Sequence, residues 1–249
     1  MAKRCRLDLL LVERGLTPTR EQARALVLAG GVRLNGAVAA KPGTAVPDTA
    51  VVEVIGQDHP YASRGGLKLE RALHSFQLNP QGGIALDVGA STGGFTDCLL
   101  QHGATKVYAV DVGYGQLAWK LRQDDRVVVL ERTNFRHLAY EAIGEAVDLV
   151  VIDASFISLK LLLPKVREFL APEGQVLALV KPQFEAGRTE VGKRGRVAEA
   201  DVHERVLDEL GTTAKALGFR TLGQCESPIL GKKSGNREFF LHLGFAGGV

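Results

Sequence analysis

A chain of 249 residues, 45% of them hydrophobic and 24% charged, carries enough apolar material for one sizeable core or two domains and too much for a disordered chain. No apolar run approaches the roughly 18–20 residues that span a bilayer, and Asp8 and Glu13 interrupt any secretory leader, so neither a membrane protein nor an exported one is expected. The net charge of +3 lies wholly in residues 1–64, which hold nine Lys/Arg against six Asp/Glu, and this asymmetry suggests a polyanionic partner for the front segment.

The first elements are short and mixed. Leu7, Leu10 and Leu11 before Gly15 predict an amphipathic helix. Thr19-Arg20-Glu21-Gln22 reads as a capping box opening a second helix, with Ala23, Leu26 and Val27 inside and Gly30-Gly31 as its stop. Residues 32–34, the turn pair Asn35-Gly36 and Val38 predict a hairpin, and 51–55 a further strand. Arg20 and Arg24, four residues apart, share a helix face that Arg33 and Lys41 extend. Residues 1–58 thus read as a small α+β domain and 59–66 as a linker. The remainder, 67–249, reads as a second domain.

From Ile84 the pattern alternates short β-branched runs with helical stretches, the signature of a mostly parallel sheet covered on both faces. Strands are expected at 84–88, 106–111, 126–130, 147–153, 175–181 and 238–243. Helices are expected at 95–102, 116–122, 159–170 and 199–217, with Pro164 breaking the third.

The first of these strands ends in Asp87-Val88-Gly89-Ala90-Ser91-Thr92-Gly93-Gly94-Phe95, a Gly-rich turn that lets a ligand approach the backbone. The second ends on Asp111, where a carboxylate can accept from both hydroxyls of an adenosine ribose. Gly89-Ala90-Ser91 lacks the second glycine of the dinucleotide fingerprint, which disfavours a nicotinamide oxidoreductase. Asp87 and the wider spacing of Gly89, Gly93 and Gly94 resemble an S-adenosylmethionine loop instead. By the same placement Asn134, after the third strand, is a candidate for the adenine edge.

Four ionisable residues fall at strand ends or just before the sheet. These are Lys68, Asp153, Lys181 and Glu238. Ligands bind beyond the carboxyl ends of parallel strands, so Asp153 and Lys181 share the cofactor crevice, and an antiparallel last strand would bring Glu238 there too.

Ser63-Arg64-Gly65-Gly66-Leu67-Lys68-Leu69, the loop 87–96, Asp153-Ala154-Ser155-Phe156-Ile157-Ser158-Leu159, Val180-Lys181-Pro182-Gln183-Phe184-Glu185 and Asn236-Arg237-Glu238-Phe239 together resemble the hemolysin-A-like (TlyA) family of FtsJ-type ribose 2′-O-methyltransferases. The front segment resembles an S-four-type RNA-binding domain. The resemblance implies a Rossmann-like methyltransferase with a mostly parallel seven-stranded sheet and S-adenosyl-L-methionine as cofactor; direct in-line transfer of the methyl group requires no metal, and no His/Cys ligand cluster suggests one. It also implies cytidine in ribosomal RNA as substrate and Lys68, Asp153, Lys181 and Glu238 as a catalytic tetrad. Asp87, Gly89, Ser91, Gly93, Gly94, Phe95, Asp111 and Asn134 would bind the cofactor. Ser91-Thr92 departs from the proline common in the wider FtsJ group, and Asn134 replaces an acid often found there.

A ribose hydroxyl holds its proton tightly, and free lysine, with a pKa of about 10.4, is a poor base. Lys181 would act either as a neutral base, favoured by the nearby cation Lys68 and by partial burial and opposed by the acids Asp153 and Glu238 that orient the lysines, or as a charged stabiliser of the alkoxide. RNA would be held by Arg6, Arg20, Arg24, Arg33, Lys41 and Arg64, and by two basic loops carrying Arg188, Lys193, Arg194, Lys232 and Lys233. Cys5, Cys98 and Cys225 show neither metal-ligand nor disulfide spacing, so a cytoplasmic protein is expected; the resemblance implies ribosomal RNA or ribosomal subunits as its partners, with no obligatory protein partner evident. A non-catalytic assembly factor would keep the front domain and lose the cofactor. A cytolysin would need a secretion signal and a membrane-active segment, and an aminopropyl transferase would not explain two lysines behind a basic front domain.

Overall fold

The computed structural model describes residues 4–17, 19–54, 59–187, 189–231 and 235–245. The front domain opens with β1 (Arg4–Arg6), α1 (Leu7–Glu13), α2 (Arg20–Leu28) and β2 (Val32–Leu34), and closes with β3 (Ala37–Val38), β4 (Ala45–Pro47) and β5 (Val52–Val54). Thr19 Oγ1 accepts from Gln22 N–H at 3.2 Å, as the capping signal required. The reciprocal half of the box is missing, because Gln22 Oε1 is buried without a partner. Asn35 and Gly36 both take positive φ (50° and 81°), the pair a type I′ hairpin turn needs, and β2 pairs β3 as expected. The backbone also pairs β1 with β4, two three-residue strands too short to show in the pattern. Leu7, Leu10, Leu11, Ala23, Val27 and Val32 fill a small core of this domain's own.

The second domain begins earlier than its first strand. Helix α3 (Gly65–Phe76) has no counterpart among the expected elements, because Gly65-Gly66 is a poor helix opening, and it takes up the last two residues expected in the linker. The chain continues through β6 (Ile84–Val88), α4 (Gly94–Gln101), β7 (Lys106–Val110), α5 (Trp119–Arg122), β8 (Val127–Leu130) and β9 (Val147–Ile152). It ends through α6 (Leu163–Val166), β10 (Leu170–Val180), α7 (Pro182–Glu185), α8 (Ala200–Ala216), β11 (Phe219–Glu226) and β12 (Phe239–Phe245). The seven-stranded sheet has the order β11-β12-β10-β9-β6-β7-β8. Only β12 runs against the rest, so the sheet is mostly parallel as the resemblance implied.

Two expected helices differ, and one further strand forms. The helix at 159–170 is a 3-10 turn (Leu159–Leu161) followed by the four residues of α6, with Pro164 in the first turn where its missing N–H costs nothing. Leu170 instead starts β10, pairing Val147 before an irregularity that ends at Gln175. The helix at 116–122 shrinks to α5. The seventh strand, β11, was hidden by its polar, edge-strand character.

Strand residues alternate between faces. Leu86, Val150, Ala178 and Leu241 face α8, while Ala85, Val151, Leu177 and Phe240 face α3 and α4.

Candidate functional site

Parallel β6, β7 and β9 deliver three carboxylates at their ends, and the turn after β6 brings the backbone among them. Gly89 has φ +91° and passes so close to β9 that a Cβ would lie 2.7 Å from the carbonyl oxygen of Asp153. A Cβ on Gly94 would lie 2.3 Å from Ser63 Oγ, so the start of α4 can pack against the start of α3 only without a side chain. Asp87 is fully buried beneath this turn. Thr96 donates to its Oδ2 at 2.6 Å, whereas Oδ1 has no partner among the described residues. Burial pushes the Asp87 carboxyl up to about 7, with the charges of Asp153 and Asp111 adding to the effect and the Thr96 bond opposing it.

Asp111 follows β7. Its Oδ2 accepts from Ser91 N–H at 2.8 Å and its Oδ1 from Gly113 N–H at 2.6 Å, which fixes the carboxylate and leaves lone pairs on both oxygens. With Asn134, Val88 and Phe135 it lines a cleft of about 620 Å³. Asn134 Oδ1 caps the turn Phe135–His137 by accepting from Arg136 N–H at 3.1 Å. A second cleft of about 260 Å³ shares Gly89, Ser91 and Asp153 with the first and adds Arg64, Lys68, Leu230 and, from the front domain, Leu28.

Lys68 stands on α3 and Glu238 just before β12. Lys68 Nζ donates to Glu238 Oε2 at 2.5 Å. Lys181 follows β10, where Pro182 holds it extended (φ −113°, ψ 98°) and starts α7. Its Nζ meets Asp153 Oδ1 at 2.5 Å and Ser155 Oγ at 2.9 Å. The four residues thus form two ion pairs, each lysine having its own carboxylate, and three of their side chains are at most 13% exposed against 24% for Asp153. Each amine therefore has its own carboxylate within ion-pair distance.

Sequence reasoning passed over the side chains that hold these loops. Glu185, its carboxyl raised by burial, accepts from Ser158 Oγ at 2.5 Å and Leu159 N–H at 2.8 Å, tying the loop after β9 to α7. Buried Asn236 accepts from Val197 N–H at 3.0 Å and donates to Gly195 O at 2.8 Å, joining the two basic loops. Asp97 accepts from Ala62 N–H at 2.6 Å and pairs with Lys120, anchoring residue 62 to α4. All three lie in or beside quoted motifs, and their signal is a polar residue at a position the pattern buries.

Of the expected RNA contacts, Arg24, Arg33, Lys41, Arg64 and Lys193 are exposed. Arg6 and Arg20 are half exposed and both are paired with Asp8. Arg188, Lys232, Lys233 and the side chain of Arg194 lie outside the described residues.

Known proteins match both parts of this arrangement. The model of the FtsJ-like methyltransferase family matches residues 61–245, and that of the S4 domain residues 5–52. The YqxC protein of Bacillus subtilis (strain 168) is 51% identical over 247 residues, covering 99% of this chain and 88% of that protein. The 16S/23S rRNA (cytidine-2′-O)-methyltransferase TlyA of Mycobacterium tuberculosis (strain CDC 1551 / Oshkosh) is 49% identical over 244 residues, covering 98% of this chain and 91% of the enzyme. A solved structure from Streptococcus thermophilus superposes with a TM-score of 0.76 at 47% identity, covering 99% of this chain and 90% of that one. With one family model spanning residues 61–245, a second spanning 5–52 and a TlyA enzyme 49% identical over 98% of this chain, the chain belongs to the FtsJ-like methyltransferase family and carries an S4 domain in front.

Proposed function

We propose that this chain transfers a methyl group from S-adenosylmethionine to the ribose 2′-oxygen of a cytidine in ribosomal RNA. The observation that carries the reading is the ion pair of Lys181 with Asp153, a carboxylate that lines both clefts together with Gly89, while Lys68 lines the smaller one. Residues fit the cofactor: Asp111 offers oriented carboxylate oxygens to a ribose, Asn134 offers amide N–H groups, and Gly89 lets the turn pack closely against Asp153 at the edge of the cleft they share. The cofactor supplies an electrophilic methyl group on a sulfonium.

The protein's own task is to hold the 2′-hydroxyl and manage its proton. Lys181 Nζ stabilises negative charge as the O–H bond breaks and the O–CH₃ bond forms. The proton passes to the Lys181–Asp153 pair, which gains one proton as a unit whichever member held it before. Glu238 holds Lys68 at the smaller cleft that Asp153 also lines, where the ammonium can fix the neighbouring phosphate or hydroxyl. The S4 domain binds the surrounding RNA, and such a substrate places the protein in the cytoplasm.

Lys181→Ala tests this reading by single-turnover methylation of ribosomal RNA. A group acting in the transition state changes rate more than binding, so methylation should slow at least about a hundredfold. Affinities for cofactor and RNA should stay within a few-fold. Lys181→Arg should not restore the rate, because the fork-shaped guanidinium does not replace a compact ammonium between Asp153 and Ser155. Methylation within a few-fold of wild type would remove Lys181 from the chemistry.

A further inference from the structure

Arg6, Asp8 and Arg20 come from three elements of the S4 domain, β1, α1 and α2, and meet in one cluster. The Asp8 side chain has no exposure, while those of Arg6 and Arg20 remain 46% and 50% exposed. Arg6 donates Nε to Oδ1 at 2.9 Å and Nη2 to Oδ2 at 2.8 Å, and Arg20 donates Nε to Oδ2 at 3.1 Å. Arg6 also lies against the backbone at Gly43, where a Cβ would come 3.0 Å from both of its terminal nitrogens. One buried carboxylate therefore grips two arginines from beneath. Among the described residues, both terminal amino groups of Arg20 and Nη1 of Arg6 keep their N–H donors without a protein partner.

A carboxylate on a surface that binds a polyanion works against binding by charge alone. Asp8 is buried rather than displayed, and the bond from Arg6 holds its carboxyl below the ordinary range, so it stays ionised where the protein works. A free arginine gives up side-chain rotamer entropy when it is fixed on a ligand. Two arginines already fixed in the folded domain lose less on binding.

We propose that Asp8 is a positioning residue for RNA capture: it pre-sets the guanidiniums of Arg6 and Arg20 as one rigid donor surface for neighbouring phosphates. The proposal rests on the reading of the chain as a ribosomal RNA methyltransferase.

Asp8→Asn in the full chain separates positioning from charge, because the two predict opposite signs. Removing a negative charge should tighten RNA binding if Asp8 is merely electrostatic. If it positions the arginines, affinity for a ribosomal RNA transcript should fall about tenfold, and the dependence of affinity on salt should flatten. In an Arg6→Ala/Arg20→Ala background the same change should have almost no further effect. Cofactor affinity, measured by calorimetry, should not change in any variant. Should Asp8→Asn fail to fold, Arg6→Lys with Arg20→Lys keeps Asp8 and the net charge but loses the fork, and should weaken RNA binding several-fold. Equal or tighter RNA binding by Asp8→Asn, an equal loss in both backgrounds, or full affinity in the double-lysine variant would overturn the proposal. A wild-type chain that does not bind the transcript would instead sink the functional reading.

Discussion

Asp87 is the residue whose burial has the clearest consequence for stability. Its carboxyl titrates near 7 in the folded chain, against 3.8 for an ordinary aspartate. Between those values the folded state holds a proton that the unfolded state has lost, so this group's contribution makes stability fall as pH rises from about 4 to about 7 and level off above. Asp87→Asn keeps an acceptor for Thr96 and never ionises. Urea unfolding at pH 5 and pH 8 should show the variant gaining on wild type at the higher pH by a few kcal/mol, on the order of the shift itself. A wild-type-to-variant difference that does not change with pH would mean that the carboxyl is not buried alone. The sequence marks Asp87 only as the leading acid of a Gly-rich turn. That its second oxygen lacks a partner among the described residues depends on β7, β9 and α4 closing around it.

Loops after strands carry the site at the scale of elements, and a few buried polar groups hold them. Asn236 joins residues 195 and 197 to the turn before β12, while Gly231 N–H donates to the Asn236 carbonyl at 2.8 Å and Glu238, two residues on, grips Lys68. Asn236→Ala strands Val197 N–H and Gly195 O, a loss of about 1–3 kcal/mol. Because both basic loops and Glu238 depend on that residue, kcat/KM for methylation should drop about tenfold or more. Cofactor affinity should stay within about twofold, since Asp111 and the Gly89 turn lie on other strands. Calorimetry and steady-state kinetics on the same preparation check the two arms, and a parallel fall in cofactor affinity would contradict the assignment. The helices flanking these loops were unevenly legible. The 17 residues of α8 stand out by their apolar period, whereas α5 and α6 are four-residue remnants whose sequences read as longer helices.

In the whole molecule, the S4 domain has its own small apolar core, and the methyltransferase sheet is sandwiched between two larger ones. Units with separate cores can unfold separately. S-adenosylmethionine at a hundred times its dissociation constant adds about 2.7 kcal/mol to the state that binds it. Scanning calorimetry should therefore show the cofactor raising the transition of the larger unit and leaving that of the smaller one in place. Equal shifts of both would show that the two domains unfold as one.

Local rules were enough for the hairpin at Asn35-Gly36, the cap at Thr19, the parallel strands and the Gly-rich turn, because a turn, a cap and a buried strand each follow from a few adjacent residues. The strand-end acids and lysines were legible for the same reason, since their position on a parallel sheet follows from order along the chain. Other features exist only in three dimensions. The exposed, polar edge strand β11 is specified by its pairing with β12, and the pairings Lys68 with Glu238 and Lys181 with Asp153 span 170 and 28 residues. Arg6 and Arg20 read as free surface charge until α1 carries Asp8 beneath both. Charge and hydrogen-bond partners depend on distance in space, and one-dimensional spacing sets that distance only within a helix, a strand or a turn.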